Sequence, residues 1–156
     1  MNEIIIEILA LLEKELWGDY KRYFYWSNKA PEEAIFPFIE LEPNTTLVEN
    51  KWTWWLQNNT FWLTLRIKST TKEHLNVDTN SEILKHIRDL VLKMEDRNND
   101  FTFKPKTILW ILSANLQLNW KANIMWDWDI KYDNFILNDS YIYVGEVSFT
   151  VMRLNC

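Results

Sequence analysis

The chain is poor in the residue types on which most recognisable chemistry is built: of 156 residues, one is cysteine, two are histidine, two glycine and four proline. A lone cysteine, Cys156, excludes an intrachain disulfide and points to a reducing compartment, and as the last residue it is a poor foundation for a nucleophilic site. Gly18 and Gly145 belong to no phosphate-binding loop, which removes the common nucleotide folds. His74 stands beside Glu73 and His86 beside Lys85, with no cysteine or carboxylate cluster to complete a metal set, so both read as solvent-exposed histidines. A long uncharged apolar run is also missing. Residues 1–16 are apolar but broken by Glu3, Glu7, Glu13, Lys14 and Glu15, which excludes a signal sequence or membrane span there and leaves the expectation of a soluble protein. Basic stretches are absent too, and a net charge of −5 argues against a protein that neutralises a phosphate backbone.

What the chain has in excess is tryptophan, ten residues in all. The indole is large and its N–H wants a partner, so tryptophan is seldom hidden completely. More rings than one small interior can hold implies that some reach the surface, where such rings serve protein interfaces, sugar platforms or membrane boundaries. Hydrophobic residues form 47% and charged residues 25%, the balance of a folded chain, and the length suits a single α+β domain spanning 1–156.

Ile5, Ile8, Leu9, Leu12 and Leu16 recur at helical spacing, predicting an amphipathic helix over 2–16 that Gly18 ends. Residues 19–33 mix aromatics and charges without a period and read as an irregular loop with room for short structure. A short apolar strand follows over 34–41, with Pro37 placing its start near an edge. Two strands over 47–56 and 60–69, separated by Gln57, Asn58 and Asn59, read as a hairpin. In the second, Phe61, Leu63, Leu65 and Ile67 face one way and Trp62, Thr64, Arg66 and Lys68 the other. Thr79 and Glu82 form a capping box ahead of Ile83, Leu84, Ile87, Leu90, Val91 and Met94, a second helix. Apolar even positions from Leu112 to Tyr132 predict one very long strand, or a hairpin bent near Lys121 to Asn123. A turn at Asn138, Asp139 and Ser140 leads into a last strand over 141–154, with Tyr143, Val147, Phe149 and Val151 inward. The expected architecture is an antiparallel sheet with long hairpins against two main helices.

No motif in this layout supports catalysis, a cofactor or a resident metal. Asp127, Asp129 and Asp133 share one side of the expected strand, where i and i+2 lie ~6.5–7 Å apart, a spacing open to a carboxylate pair or a cation. The simpler reading is a solvated face opposite Trp126, Trp128 and Ile130. Trp52 and Trp54 share one face of the expected hairpin and Trp55 the other. Both faces then carry large rings, and a domain with one interior leaves a patch for a partner chain. The candidate interface comprises Trp52, Trp54, Trp55, Trp62, Arg66, Trp126, Trp128, Tyr141 and Tyr143.

The order helix, strand with Phe36-Pro37-Phe38-Ile39, strand 62–68 feeding a polar loop, capped helix 79–94 and a final strand around 146–152 resembles the tail-terminator, or tail-completion, proteins of long-tailed bacteriophages. The resemblance spans nearly the whole chain as an order of elements, and its motifs are short and degenerate. The tryptophan content and the extended 108–132 region depart from that pattern. The resemblance implies a virion neck protein, assembled in the host cytoplasm. It forms a homo-oligomeric ring, usually a hexamer, that caps the tail tube and joins it to the head connector. It also implies passage of DNA without specific binding, and no enzymatic activity. The competing expectation from the residues is a carbohydrate-binding β module that stacks sugars on Trp52, Trp54 and Trp62.

Overall fold

The computed structural model describes residues 2–20, 22–25, 36–43, 60–71, 79–118, 122–125, 127–137 and 140–153. Helix α1 runs Asn2–Leu16, as its apolar stripe requires, and buries Ile5, Ile8 and Leu12 completely. Gly18 ends it with φ +93°, a left-handed conformation open to glycine at no steric cost. Strand β1 (Arg22–Tyr25) follows at once, a short element inside a segment expected to be mainly irregular. Four residues are too few to display a period. Their order comes from pairing in parallel with β2 (Phe38–Pro43), Tyr23 opposite Ile39.

Strand β2 is flanked on both sides, by β1 and by β3 (Thr60–Thr71), so Pro37 does not mark an edge. It precedes the first paired residue, where its missing N–H removes no ladder bond. The expected strand 47–56 and its turn lie outside the described residues. From Leu63 to Lys68, β3 is already held by β2 on one side and β6 (Ser140–Arg153) on the other.

Helix α2 spans Thr79–Glu95 and buries Leu90 and Met94. Thr79 belongs to the helix itself, and its side chain is outside the described residues, so the expected capping role is not described.

The region 108–132 departs most from the sequence reading. Ile108–Ala114 is a third helix, α3, followed by turns and two separate strands, β4 (Ala122–Ile124) and β5 (Asp129–Leu137). The even-position pattern began at Leu112 and left out Leu109 and Ile111 just before it. With Ile108 and Leu112 they form an i, i+1, i+3, i+4 set, and all four are fully buried. Thr107 starts the helix, its Oγ1 accepting the Trp110 N–H at 3.2 Å while donating to the Lys104 carbonyl at 2.9 Å.

The described strands form one six-stranded sheet, in the order β1-β2-β3-β6, with β4 and β5 sharing the far edge of β6. Apart from the parallel β1–β2 pair, it is antiparallel. The register stacks Ile39, Ile67 and Gly145 in one row, Leu41, Leu65 and Val147 in the next, then Leu63 and Phe149. These residues face the three helices and form the main core with Ile5, Ile8, Leu12, Met94, Ile108 and Ile111. A smaller cluster of Phe36, Phe38, Ile142 and Val144 is buried on the second face. Among the described residues, no helix is long and apolar enough to cross a membrane.

Candidate interaction surface

The sheet's alternation decides which face each candidate side chain enters. Arg66 and Trp62, at even positions of β3, fall on the second face. There Arg66 is the hub of an ion-pair row: its Nε donates to Glu146 Oε2 at 2.9 Å, its other end pairs with Glu42, and Glu40 Oε1 lies 3.5 Å away. Lys68 Nζ approaches the same Glu40 oxygen at 2.8 Å. Burial opposes the Arg66 charge, but hydrogen bonds to Glu42 and Glu146 outweigh it and hold the guanidinium above its ordinary pKa. The Glu40 side chain is only 5% exposed and the other members are partly so; Arg66 and Lys68 are paired within the row rather than forming a free basic patch. Trp62 is half-buried at the same face, opposite Thr150.

The other described candidates lie on the helix side. Tyr143 is completely buried beneath His86, the two rings stacked at 4.8 Å with an interplanar angle of 28°. It therefore offers no surface to a partner. His86 is half-buried by the same stack, not solvent-exposed as the sequence suggested. Tyr141 is half-buried beside Tyr143. Trp128, also half-buried, meets Phe149 edge-on at 5.6 Å. Thus the described candidates are split between two faces. Trp52, Trp54, Trp55 and Trp126 lie outside the described residues, as does His74.

Of the three carboxylates, Asp127 has a structural partner: it accepts the Thr150 N–H at 2.9 Å and the Thr150 hydroxyl. Asp129 and Asp133 are exposed on β5, and Asp129 lies 3.7 Å from Lys131. Among the described residues, no group of three histidine, cysteine or acidic side chains is placed to hold a metal ion.

Two features escaped the sequence reading. The first is Trp17, 84% exposed at the end of α1. Its base is fixed: Asp19 N–H donates to the Leu16 carbonyl at 2.9 Å, Tyr20 is buried, and the Tyr23 hydroxyl donates to Leu16 O at 2.8 Å. A signal existed, because Trp17 lies off the apolar stripe of the helix it follows.

The second is a cleft of about 700 Å³ where the α2–α3 connection meets α3 and the start of β5. Phe101, Phe103, Trp110 and Trp128 provide its apolar walls, with Arg97 and Ser113 among its polar groups. One wall is a tight hairpin: Asn98 N–H donates to Thr102 O at 2.8 Å, and Phe101 N–H to Asn98 O at 3.0 Å. Thr102 donates to the Asp100 carboxylate through its hydroxyl at 2.6 Å and its amide at 3.2 Å, holding that acid below its ordinary pKa. Phe101 closes the turn at φ +66°, a left-handed position that usually takes glycine or asparagine, yet its ring is 78% exposed. Arg97 lies over the Phe103 ring, Cζ 4.6 Å from its centroid. The Asn-Asn-Asp-Phe sequence of the turn signals a loop; nothing in it signals a pocket.

No protein-family model matches the chain, and no curated protein matches it.

Proposed function

We propose that this chain is a structural subunit that assembles with copies of itself into a ring of the phage tail-terminator kind, capping a tail tube and joining it to the head connector. The observation that carries this reading is the number of large apolar side chains presented to solvent by rigid elements. Besides Trp17 and Phe101, Leu84 on α2 and Ile6 on α1 stand 69% and 65% exposed. Ile136 on β5 and Met125 after β4 are also exposed. Single exposed apolar residues are ordinary, but rings and branched chains on several helices and hairpins of one small chain suit a protein whose neighbours cover them.

The order of elements supports the finer, tail-terminator part of the reading. An amphipathic α1, a β2 entered through Phe36-Pro37-Phe38, a β3 preceding α2 and a closing β6 follow the order shared by that family. In such a subunit the sheet and its helices serve as a rigid body, and the work of the protein is done by the contacts it makes.

Light scattering after size exclusion, with negative-stain microscopy of the same fractions, tests the reading. The expected result is a closed ring, formed by the chain alone or on addition of tail-tube protein. A chain that remains a monomer under both conditions overturns it.

A further inference from the structure

The cleft and Trp17 have complementary chemistry on different elements of one chain. We propose that Trp17 of one copy seats in the aromatic cleft of the next, joining subunits head to tail; this deepens the ring reading by naming the contact, and rests on it. The cleft, at about 700 Å³, is within the range of about 300–1,000 Å³ typical of ligand-binding pockets and has aromatic walls suited to a flat ring.

One polar group at the cleft has a need of its own. Arg97 donates weakly to Phe101 O at 3.4 Å and pairs with no carboxylate among the described residues. Asp19, exposed and two residues from Trp17, brings a carboxylate with the same knob. Ring meets ring, and carboxylate meets guanidinium.

Conformational cost points the same way. Trp17 stands on a hydrogen-bonded turn, so docking has its side-chain rotamers to order but not its backbone. Phe101 keeps a bulky ring in a left-handed conformation that disfavours it, at the rim of this cleft. A strained residue kept exposed is a marker of function when the surrounding structure imposes it. Because knob and cleft are different patches, the contact is heterologous: repeated, it gives a ring if the rotation closes and a filament if it does not.

Sedimentation velocity over a concentration series, on the wild type, Trp17→Ala, Ala114→Trp and an equimolar mixture of the two variants, tests the contact. Ala114 is an exposed lining residue, and tryptophan there fills the cleft from within. Each variant alone is expected to associate at least about thirtyfold more weakly, the scale of an interface hot spot. The mixture is expected to restore one contact, giving a heterodimer and nothing larger. Trp17→Ala assembling like the wild type overturns this contact and leaves the ring reading standing, with other faces responsible. A wild type that stays monomeric alone and with tail-tube protein overturns both. Should Ala114→Trp fail to fold, a charge swap decides: Arg97→Glu weakens assembly and Asp19→Arg in the same chain restores it. Absence of rescue overturns the proposal, as does tight occupation of the cleft by another molecule in an assembled ring.

Discussion

Glu40 keeps only 5% of its side chain in contact with solvent, yet it is one of three carboxylates gathered around Arg66. Removing the guanidinium would leave Lys68 alone to balance Glu40, Glu42 and Glu146. Arg66→Ala should therefore destabilise the fold by about 2–3 kcal/mol, below the usual cost of breaking a buried pair because Arg66 is itself 21% exposed. Urea unfolding checks this, and a midpoint unchanged from the wild type would show that the row carries no net stability. Strand alternation was enough to turn Arg66 away from the core and Leu65 and Ile67 into it. It could not name the partners, because Glu42 and Glu146 stand 24 and 80 residues away and meet Arg66 only through the register of three strands. Tyr143 shows the opposite balance. Its inward direction was legible from period two, and the same burial removes it from the interface to which its residue type had assigned it.

Helix α3 is only seven residues long, too short to be stable by propensity alone, so its cap and its packing must hold it. Thr107 is 4% exposed and bridges the helix start to Lys104 through both a donated and an accepted hydrogen bond. Thr107→Ala is expected to cost about 1–2 kcal/mol, lowering the melting temperature by several degrees; a shift under about one degree would remove the cap from the account. The two long helices were legible because fifteen and seventeen residues show their period several times over. The seven of α3 and the four of β1 do not. For α3, an alternation that starts at Leu112 claimed the last turn of the helix for a strand, and Leu109 and Ile111 just before it were left unread.

At the scale of the whole molecule, β3 and β6 form the spine, each paired on both sides, while β1 is a four-residue edge. Backbone amides of β3 and β6 should exchange with solvent last and those of β1 early; a β6 that exchanged as fast as β1 would contradict this order of stability. The excess of aromatic rings was visible in the composition, but not which of them would stand clear, since that depends on how three helices cover one face. The cleft belongs to this level too, assembled from side chains between Arg97 and Trp128 that only folding brings together. The two occupants of β6's far edge have one more consequence. A slip of β6 by two residues would keep every apolar side chain on the inner face, so binary patterning offers no defence against it. Asp127 does: at the handover between β5 and β4 its carboxylate grips the amide and hydroxyl of Thr150, and Met125 N–H reaches Thr150 O at 2.9 Å. Gly145 adds a second notch, since a Cβ there would stand 3.4 Å from the Tyr132 ring and the slipped neighbours Tyr143 or Val147 would bring far more bulk to it. The acid that the sequence placed on a solvated strand face acts as a ratchet pawl, letting the longest strand of the described sheet settle at a single step.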